Sequence, residues 1–236
     1  MEGIKSNVPK HLALILDGNR RFSKRLMMKP WKGHEWGAKK VEAVLDWCKE
    51  YGIKEITFYA FSIENFDRPK EEFDFLMKLF EKEFKRMLLD KRLETDKIKI
   101  NFIGRISMFP KSLQDVMNGL MEKTKDSNKL IVNFAMAYGG RAEIVDATKK
   151  ISKQIKEGKI DIEDINEKVF SKSLYIESEP DLIIRTSESR LSGFMLWQGS
   201  YAEIIFLPNK LWPEFEKKDF IGCLNEYSSR QRRFGK

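Results

Sequence analysis

Asp17-Gly18-Asn19 follows the apolar run Leu12-Ala13-Leu14-Ile15-Leu16 and precedes a basic stretch, Arg20, Arg21, Lys24 and Arg25. The run reads as a buried strand, so a carboxylate stands at a strand end and faces cations. An isolated charge in such a place is costly, and the carboxylate must be paired, bound to a metal, or both. The surplus of cations points to a strongly anionic ligand, read here as a diphosphate held with Mg²⁺. That ion takes one or two carboxylates and completes its shell with water and phosphate oxygens. Gly18 lets the backbone approach an anion, and a helix after it would aim N–H groups the same way. Taken alone, Asp-Gly would be no more than a turn.

The elements that must position these residues alternate along the chain. Strand-like runs are expected at 11–16, 53–61, 98–103, 130–137, 182–184 and 201–207. Helices are expected at 38–50, 70–90, 111–125, from 141 to about 156, over 161–174, and from about Asp219. Continuous apolar strands separated by helices predict an α/β fold: a central, mostly parallel sheet of about six strands flanked by helices. Without repeats, low-complexity segments or linkers, residues 1–236 read as a single domain.

In open parallel sheets the site lies beyond the carboxyl ends of the strands. Those ends supply Asp17-Gly18-Asn19, then Ser62, Glu64, Asn65 and Arg68, then Gly104 and Arg105, then Gly139-Gly140-Arg141, and finally Arg185, Arg190 and Ser192. Arginine suits bidentate contacts with phosphate oxygens. The chain has no GxxxxGK[ST] loop, no GxGxxG after the first strand and no GxSxG turn, which argues against P-loop, dinucleotide and serine-hydrolase chemistry.

A hydrophobic content of 42% supports a real core and excludes a disordered chain. No apolar run approaches the ~20 residues of a bilayer span. Met1 to Lys10 has no signal-peptide stretch, and Cys48 and Cys223 have no motif spacing, so a reduced, cytoplasmic protein is expected. The two histidines, His11 and His34, are too few for a His-rich zinc site. The net charge of +8 suits nucleic acid, an anionic membrane surface or phosphorylated substrates. Because arginines gather at strand ends and not along an aromatic-interleaved stripe, no nucleic-acid partner is expected.

Taken together, the motifs resemble those of the cis-prenyltransferases, the undecaprenyl diphosphate synthase family. The resemblance rests on His11–Arg21, on Gly33-His34 with the helix from Gly37, and on Tyr59–Pro69. It continues through Asn133–Arg141, Asp181–Thr186, Arg190-Leu191-Ser192, Phe194–Gln198, Tyr201-Ala202-Glu203 and Arg232–Gly235. It covers the chain from about residue 10 onward. The ordered set is specific where any single motif is not.

The resemblance implies Mg²⁺-dependent condensation of isopentenyl diphosphate, repeatedly and with cis geometry, onto an allylic diphosphate such as farnesyl or geranylgeranyl diphosphate. The product would be a long polyprenyl diphosphate, precursor of a glycosyl carrier lipid. By the same match Asp17 is the central metal-binding and catalytic residue. Gly18, Asn19, Arg20, Arg21 and Phe22 line the allylic diphosphate site, with His34 close by. Ser62 and Asn65 position isopentenyl diphosphate and assist its proton loss, within a block whose Ile63, Glu64 and Phe66 also contact substrate. Arg68, Arg185, Arg190, Leu191 and Ser192 belong to the isopentenyl diphosphate pocket. Glu203 matches a second metal-linked carboxylate that the partner supplies in a homodimer, and Arg233 and Gly235 match a terminal motif reaching across that dimer. A lipid product suggests peripheral membrane contact, although no anchor is evident.

The chain departs from the family pattern locally. Arg20 stands where glycine is common, Phe22 and Phe66 where tryptophan is, and Pro30 where some members have a phosphate-binding arginine. The loop Ser187-Glu188-Ser189 is short, and these departures are similar to archaeal and eukaryotic members. A rival within the family is a non-catalytic partner subunit, which the presence of Asp17, Asn65 and the terminal motif opposes. The apolar stripe of helix 70–90, Phe73, Leu76, Leu79, Phe80, Phe84 and Met87, is either plain core or the wall of a tunnel for the growing chain.

Overall fold

The computed structural model describes residues 7–230. Six strands form one sheet: β1 (His11–Ile15), β2 (Glu55–Ser62), β3 (Ile98–Ile103), β4 (Leu130–Tyr138), β5 (Leu182–Thr186) and β6 (Glu203–Leu207). Every ladder is parallel, in the order β3-β4-β2-β1-β5-β6. β1 and β5 are buried along their whole length, as strands covered on both faces must be. From β1 the chain lays β2, β4 and β3 on one side, then returns to place β5 and β6 on the other. The winding therefore reverses between β1 and β5. The crevice outside the carboxyl ends of such strands is where this architecture binds ligands.

The described helices are α1 (Asn19–Arg25), α2 (Gly33–Glu50), α3 (Lys70–Leu88), α4 (Arg92–Thr95), α5 (Lys111–Thr124), α6 (Gly140–Lys156), α7 (Glu167–Ser171) and α8 (Lys217–Ser229). The larger core lies between one sheet face and α2, α3, α5 and α8, and holds Leu12, Leu14, Ile56, Phe58, Leu76, Phe84, Phe134 and Leu224 among others. A smaller core on the other face gathers Ala13, Ile183, Tyr138, Phe194 and Met195.

Several boundaries differ from the sequence expectation. The helix expected over 161–174 is instead a 3-10 turn at Ile162–Asp164 followed by α7. Two caps in succession break it: Asp161 forms a capping box with Asp164, and Asn166 Oδ1 accepts from the Val169 N–H at 3.1 Å. The last strand starts at Glu203 because Gln198–Tyr201 closes a 3-10 turn first. The last helix starts at Lys217, since Asp219 is the third residue of a box opened by Glu216. The link from β5 to β6 carries no α-helix. Ser187, Ser192, Gly193 and Met195 all adopt positive φ there, which folds the segment back tightly over the strand ends.

Candidate active site

The register sets Ile15 of β1 beside Arg185 of β5, so the residues just beyond them meet. Arg185 Nη2 donates to Asp17 Oδ2 at 2.8 Å, and Arg21 Nη2 lies 3.4 Å from the same oxygen. Asp17 Oδ1 accepts from the Gly18 N–H at 2.6 Å. The Asp17 carbonyl is held from two sides, by Thr186 Oγ1 at 2.7 Å and by the Trp212 N–H at 2.9 Å. Arg185 has only 5% of its side chain exposed against 30% for Asp17, so the guanidinium is the fixed partner and the carboxylate faces outward. Arg185 Nη1 also donates to Ser192 Oγ at 2.7 Å and to the Arg190 carbonyl.

A second cationic wall rises from the end of β2. The ladder shifts register between Tyr59 and Ser62, which re-aims the strand end. Ser62 and Asn65 then form a capping box, with the Ser62 N–H donating to Asn65 Oδ1 at 3.1 Å. Asn65 Oδ1 is thus committed to the backbone, and the amide N–H groups are what it offers to a ligand. Arg68 Nη1 donates to Glu72 Oε1 at 2.9 Å and lies 3.4 Å from His34 Nε2. Glu72 is 1% exposed and also receives Arg20, at 3.6 Å. Burial, then Arg68 and Arg20, lower the His34 pKa to about 3, so its imidazole is neutral.

These walls enclose a cavity of about 910 Å³. Asp17, Asn19, His34, Ser62, Ile63, Glu64, Asn65, Arg68, Arg185 and Ser192 line it, together with Arg105, Gly139, Gly140 and Arg141 from the other strand ends. Gly18, Arg20, Arg21, Phe22, Phe66, Arg190 and Leu191 do not. Phe66 packs instead against Phe61, Phe73 and Phe109, and Phe22 against Trp36. The Arg190 guanidinium pairs with Glu188 at 2.7 Å, and Leu191 joins the smaller core. Glu203 opens β6 beside Leu182, away from Asp17, and accepts from Arg230 Nη1 at 2.7 Å. Within one chain the two carboxylates do not meet. Arg233 and Gly235 lie outside the described residues.

Sequence reasoning missed Glu72 and Trp212. Glu72 looks like one more surface acid of a charged helix start, and Trp212 like any core aromatic. Trp212 nonetheless anchors Asp17 through its N–H and α2 through Nε1, which donates to the Gly37 carbonyl at 3.0 Å. Two glycines of α2 carried a readable signal. A Cβ on Gly33 would stand 2.1 Å from the Asn19 carbonyl oxygen, and one on Gly37 2.3 Å from Asn19 Oδ1. Only glycine lets α2 press this closely on the segment after Asp17.

The donor set fits Mg²⁺ held mainly by a bound diphosphate. Among the described residues no group of three or more His, Cys, Asp or Glu converges as a protein cage. Asp17 is the carboxylate that would hold the ion from the protein side. Arg185 Nε is buried with no hydrogen-bond partner, as is Asn19 Oδ1, so polar capacity beside the cavity is unspent.

The apolar stripe of α3 splits. Leu76, Leu79, Phe80, Phe84 and Met87 line the cavity with Val41 of α2 and Phe73 does not, although Phe73 and Phe80 both pack on Phe61. One cavity therefore joins a cationic mouth at the strand ends to an apolar depth between α2 and α3.

The family profile described as "Putative undecaprenyl diphosphate synthase" matches residues 15–235. The chain is 46% identical over 240 residues to a tritrans,polycis-undecaprenyl-diphosphate synthase (geranylgeranyl-diphosphate specific) of Pyrococcus horikoshii, covering 100% of this chain and 90% of that one. A protein of the same description from Methanocaldococcus jannaschii is 47% identical over 237 residues, covering 98% and 84%. Lavandulyl diphosphate synthase from Lavandula x intermedia, solved in complex with dimethylallyl diphosphate, superposes with a TM-score of 0.92 at 35% identity, covering 97% of this chain and 99% of that one. No described helix is long and apolar enough to cross a membrane. Since the family match begins at the end of β1, just before the carboxylate that faces the cavity, and runs through every later strand, the chain belongs to the undecaprenyl diphosphate synthase family of cis-prenyltransferases.

Proposed function

We propose that this cis-prenyltransferase extends geranylgeranyl diphosphate with successive isopentenyl diphosphate units, as a Mg²⁺-dependent homodimer, to a long polycis-polyprenyl diphosphate. The observation that carries this reading is the single cavity with a cationic mouth and an apolar depth, which matches a diphosphate head and a growing hydrocarbon tail. The choice of primer follows the geranylgeranyl specificity in the names of the archaeal relatives. The same reading has the enzyme work from the cytoplasm, at the surface of the membrane that receives its product.

In this mechanism the C1–O bond of the allylic substrate breaks and its diphosphate leaves as C4 of isopentenyl diphosphate bonds to that C1, and a proton is then lost from C2 of the added unit. Mg²⁺, when bound, neutralises charge that develops on the leaving diphosphate. Arg185 fixes the Asp17 carboxylate at the cavity, where it would hold the ion. Arg68, held by buried Glu72, presents a preorganised positive charge to a diphosphate, the kind of group worth most where water is excluded. Neutral His34 adds a hydrogen bond without a further charge. Asn65 is a weak base whose Oδ1 is already engaged, so its amide N–H groups orient the second diphosphate, and that diphosphate accepts the proton.

The test is direct. Purified protein is given Mg²⁺, labelled isopentenyl diphosphate and either geranylgeranyl or farnesyl diphosphate, and polyprenyl product is extracted and sized. Product that disappears with chelator and forms best from geranylgeranyl diphosphate is expected. Folded protein yielding no product from either primer would sink the proposal, and a monomer on analytical ultracentrifugation would remove its homodimer.

A further inference from the structure

We propose that the turn joining α1 to α2, tipped by Leu26 and Met27, is a docking finger that seats the enzyme on an anionic lipid bilayer. The inference rests on the reading above, in which primer and product are lipids, and names the surface that meets the membrane. The segment leaves the cavity wall at Asn19 and returns to it at His34, so the finger belongs to the mouth.

Its shape is fixed by its own backbone. The Met28 N–H donates to the Ser23 carbonyl and the Met27 N–H to the Lys24 carbonyl, each at 3.0 Å, the crossed pair of bonds that closes a helix end. Such a cap needs a left-handed residue, most often glycine, and Met27 fills it with φ 53°. Methionine is a costly choice there, and the fold gains no burial from it, since Met27 is 97% exposed. Leu26 beside it is 48% exposed. Phe22, one turn earlier on the same face of α1, packs on Trp36, which is 40% exposed. Scattered apolar residues on a surface need no explanation, but these adjoin one another.

Cations collar the apolar tip. Residues 19–34 include Arg20, Arg21, Lys24, Arg25, Lys29 and Lys32 and no acid. Arg20 and Arg21 pair with Glu72, Asp17 and Glu188, Arg25 with Glu214, and Lys32 with Glu35. Lys24 and Lys29 have no carboxylate partner among the described residues, and Lys29 lies over the Trp31 ring at 5.3 Å.

An apolar tip inside a ring of cations and tryptophans matches the boundary between acyl chains and anionic headgroups, where apolar burial and charge attraction add. A second copy of the chain is a poorer occupant, because a two-fold contact on this face would set cations against cations. Nucleic acid would use the cations and leave Leu26 and Met27 unmatched. Docking by this finger opens the mouth beside the phase that holds the prenyl tails.

The experiment is co-sedimentation of the full chain with vesicles of phosphatidylglycerol and phosphatidylcholine, and with vesicles of phosphatidylcholine alone. Binding to the mixed vesicles, weakened by salt and absent from the neutral ones, is expected. Leu26→Gln with Met27→Gly should weaken it at least about ten-fold, and Lys24→Gln with Lys29→Gln about as much. Glycine suits the φ of Met27, so the first variant keeps the cap, and its rate with detergent-dispersed primer should stay within about two-fold of the parent. Should that double variant not fold, Met27→Gly alone is read by the same criteria. Ile162→Gln, which removes an exposed apolar residue elsewhere, should bind as the parent does. Equal loss from Ile162→Gln, tighter binding to RNA than to the mixed vesicles, or a smaller assembly of the Met27 variant on ultracentrifugation overturns the inference. Product formed by an enzyme that ignores both vesicles overturns the docking finger alone. Finger-dependent vesicle binding by a chain that makes no product from either primer overturns the elongation reading and leaves the finger standing.

Discussion

Arg185 and Asp17 form an ion pair of 2.8 Å across the β1–β5 boundary, where the winding of the sheet reverses. The pair joins residues far apart in sequence, and its two members are unequally buried. Arg185 is a fixture of the interior that also holds the Ser192 loop, whereas Asp17 is the exposed partner that turns to the cavity. The carboxylate is therefore oriented before any ligand arrives, the condition under which electrostatic catalysis avoids reorganisation.

Asp17→Ala should consequently lower turnover on the order of 10³-fold, about 4 kcal/mol of barrier. The variant should still fold but with a lowered melting temperature, because Arg185, 5% exposed, loses its carboxylate and keeps only Ser192 Oγ and the Arg190 carbonyl. Steady-state rates beside thermal melts check this. Near-parental turnover would remove Asp17 from the centre of the site.

Arg68→Ala should be destabilising as well as damaging to isopentenyl diphosphate binding. It leaves Glu72, 1% exposed, with only Arg20 at 3.6 Å, and removing one member of a buried pair costs about 3–5 kcal/mol. Adding Glu72→Gln should recover part of the stability and none of the binding. Urea unfolding of the two variants separates these effects; equal stabilities would show that Glu72 is adequately solvated.

Asn65→Asp should fold normally, since a carboxylate oxygen accepts the Ser62 N–H as the amide oxygen does. It replaces two N–H donors with negative charge beside a diphosphate, so kcat/KM for isopentenyl diphosphate should drop at least 10²-fold, roughly 2.7 kcal/mol. Parental kcat/KM would mean that the amide is only a cap.

His34 carries a pH signature. Its folded pKa, about 3, lies below the unfolded value of 6.5. Between these values the unfolded chain holds a proton that the folded chain lacks. This contribution is fully present above about pH 6.5 and is lost as pH falls toward 3, with a slope of at most about 1.4 kcal/mol per pH unit. His34→Gln should flatten the acid limb of the stability profile by that amount. Denaturant melts at pH 4, 5 and 7 provide the comparison, and parallel limbs would show that His34 titrates normally.

Much of this was legible in the amino-acid sequence. β1, β4 and β5 are predominantly apolar because a parallel sheet buries both strand faces, so the polar residues at and just past their ends stand out. Gly33 and Gly37 stood out only as part of the motif order; the close approach they allow is visible in the fold. Asp17, Ser62, Asn65, Arg68, Arg185 and Ser192 do converge on one cavity. The family itself was readable from the order of these motifs.

Tertiary structure decided the rest, for reasons that follow from packing. Helical periodicity marks the apolar side of α3 but not what that side faces, since core and cavity wall are both apolar; Phe73 and Phe80 both pack on Phe61, and only Phe80 also lines the cavity. A charged residue at a helix start looks alike whether solvated or buried, so the weight of Glu72 appears only once Arg68 closes over it. Strand order, which no local pattern encodes, sets Asp17 against Arg185 and leaves Glu203 at the start of the edge strand. The sequence by itself determined which groups stand at the strand ends. Only the fold decided which of them face one another, because pairing across a sheet depends on long-range contacts.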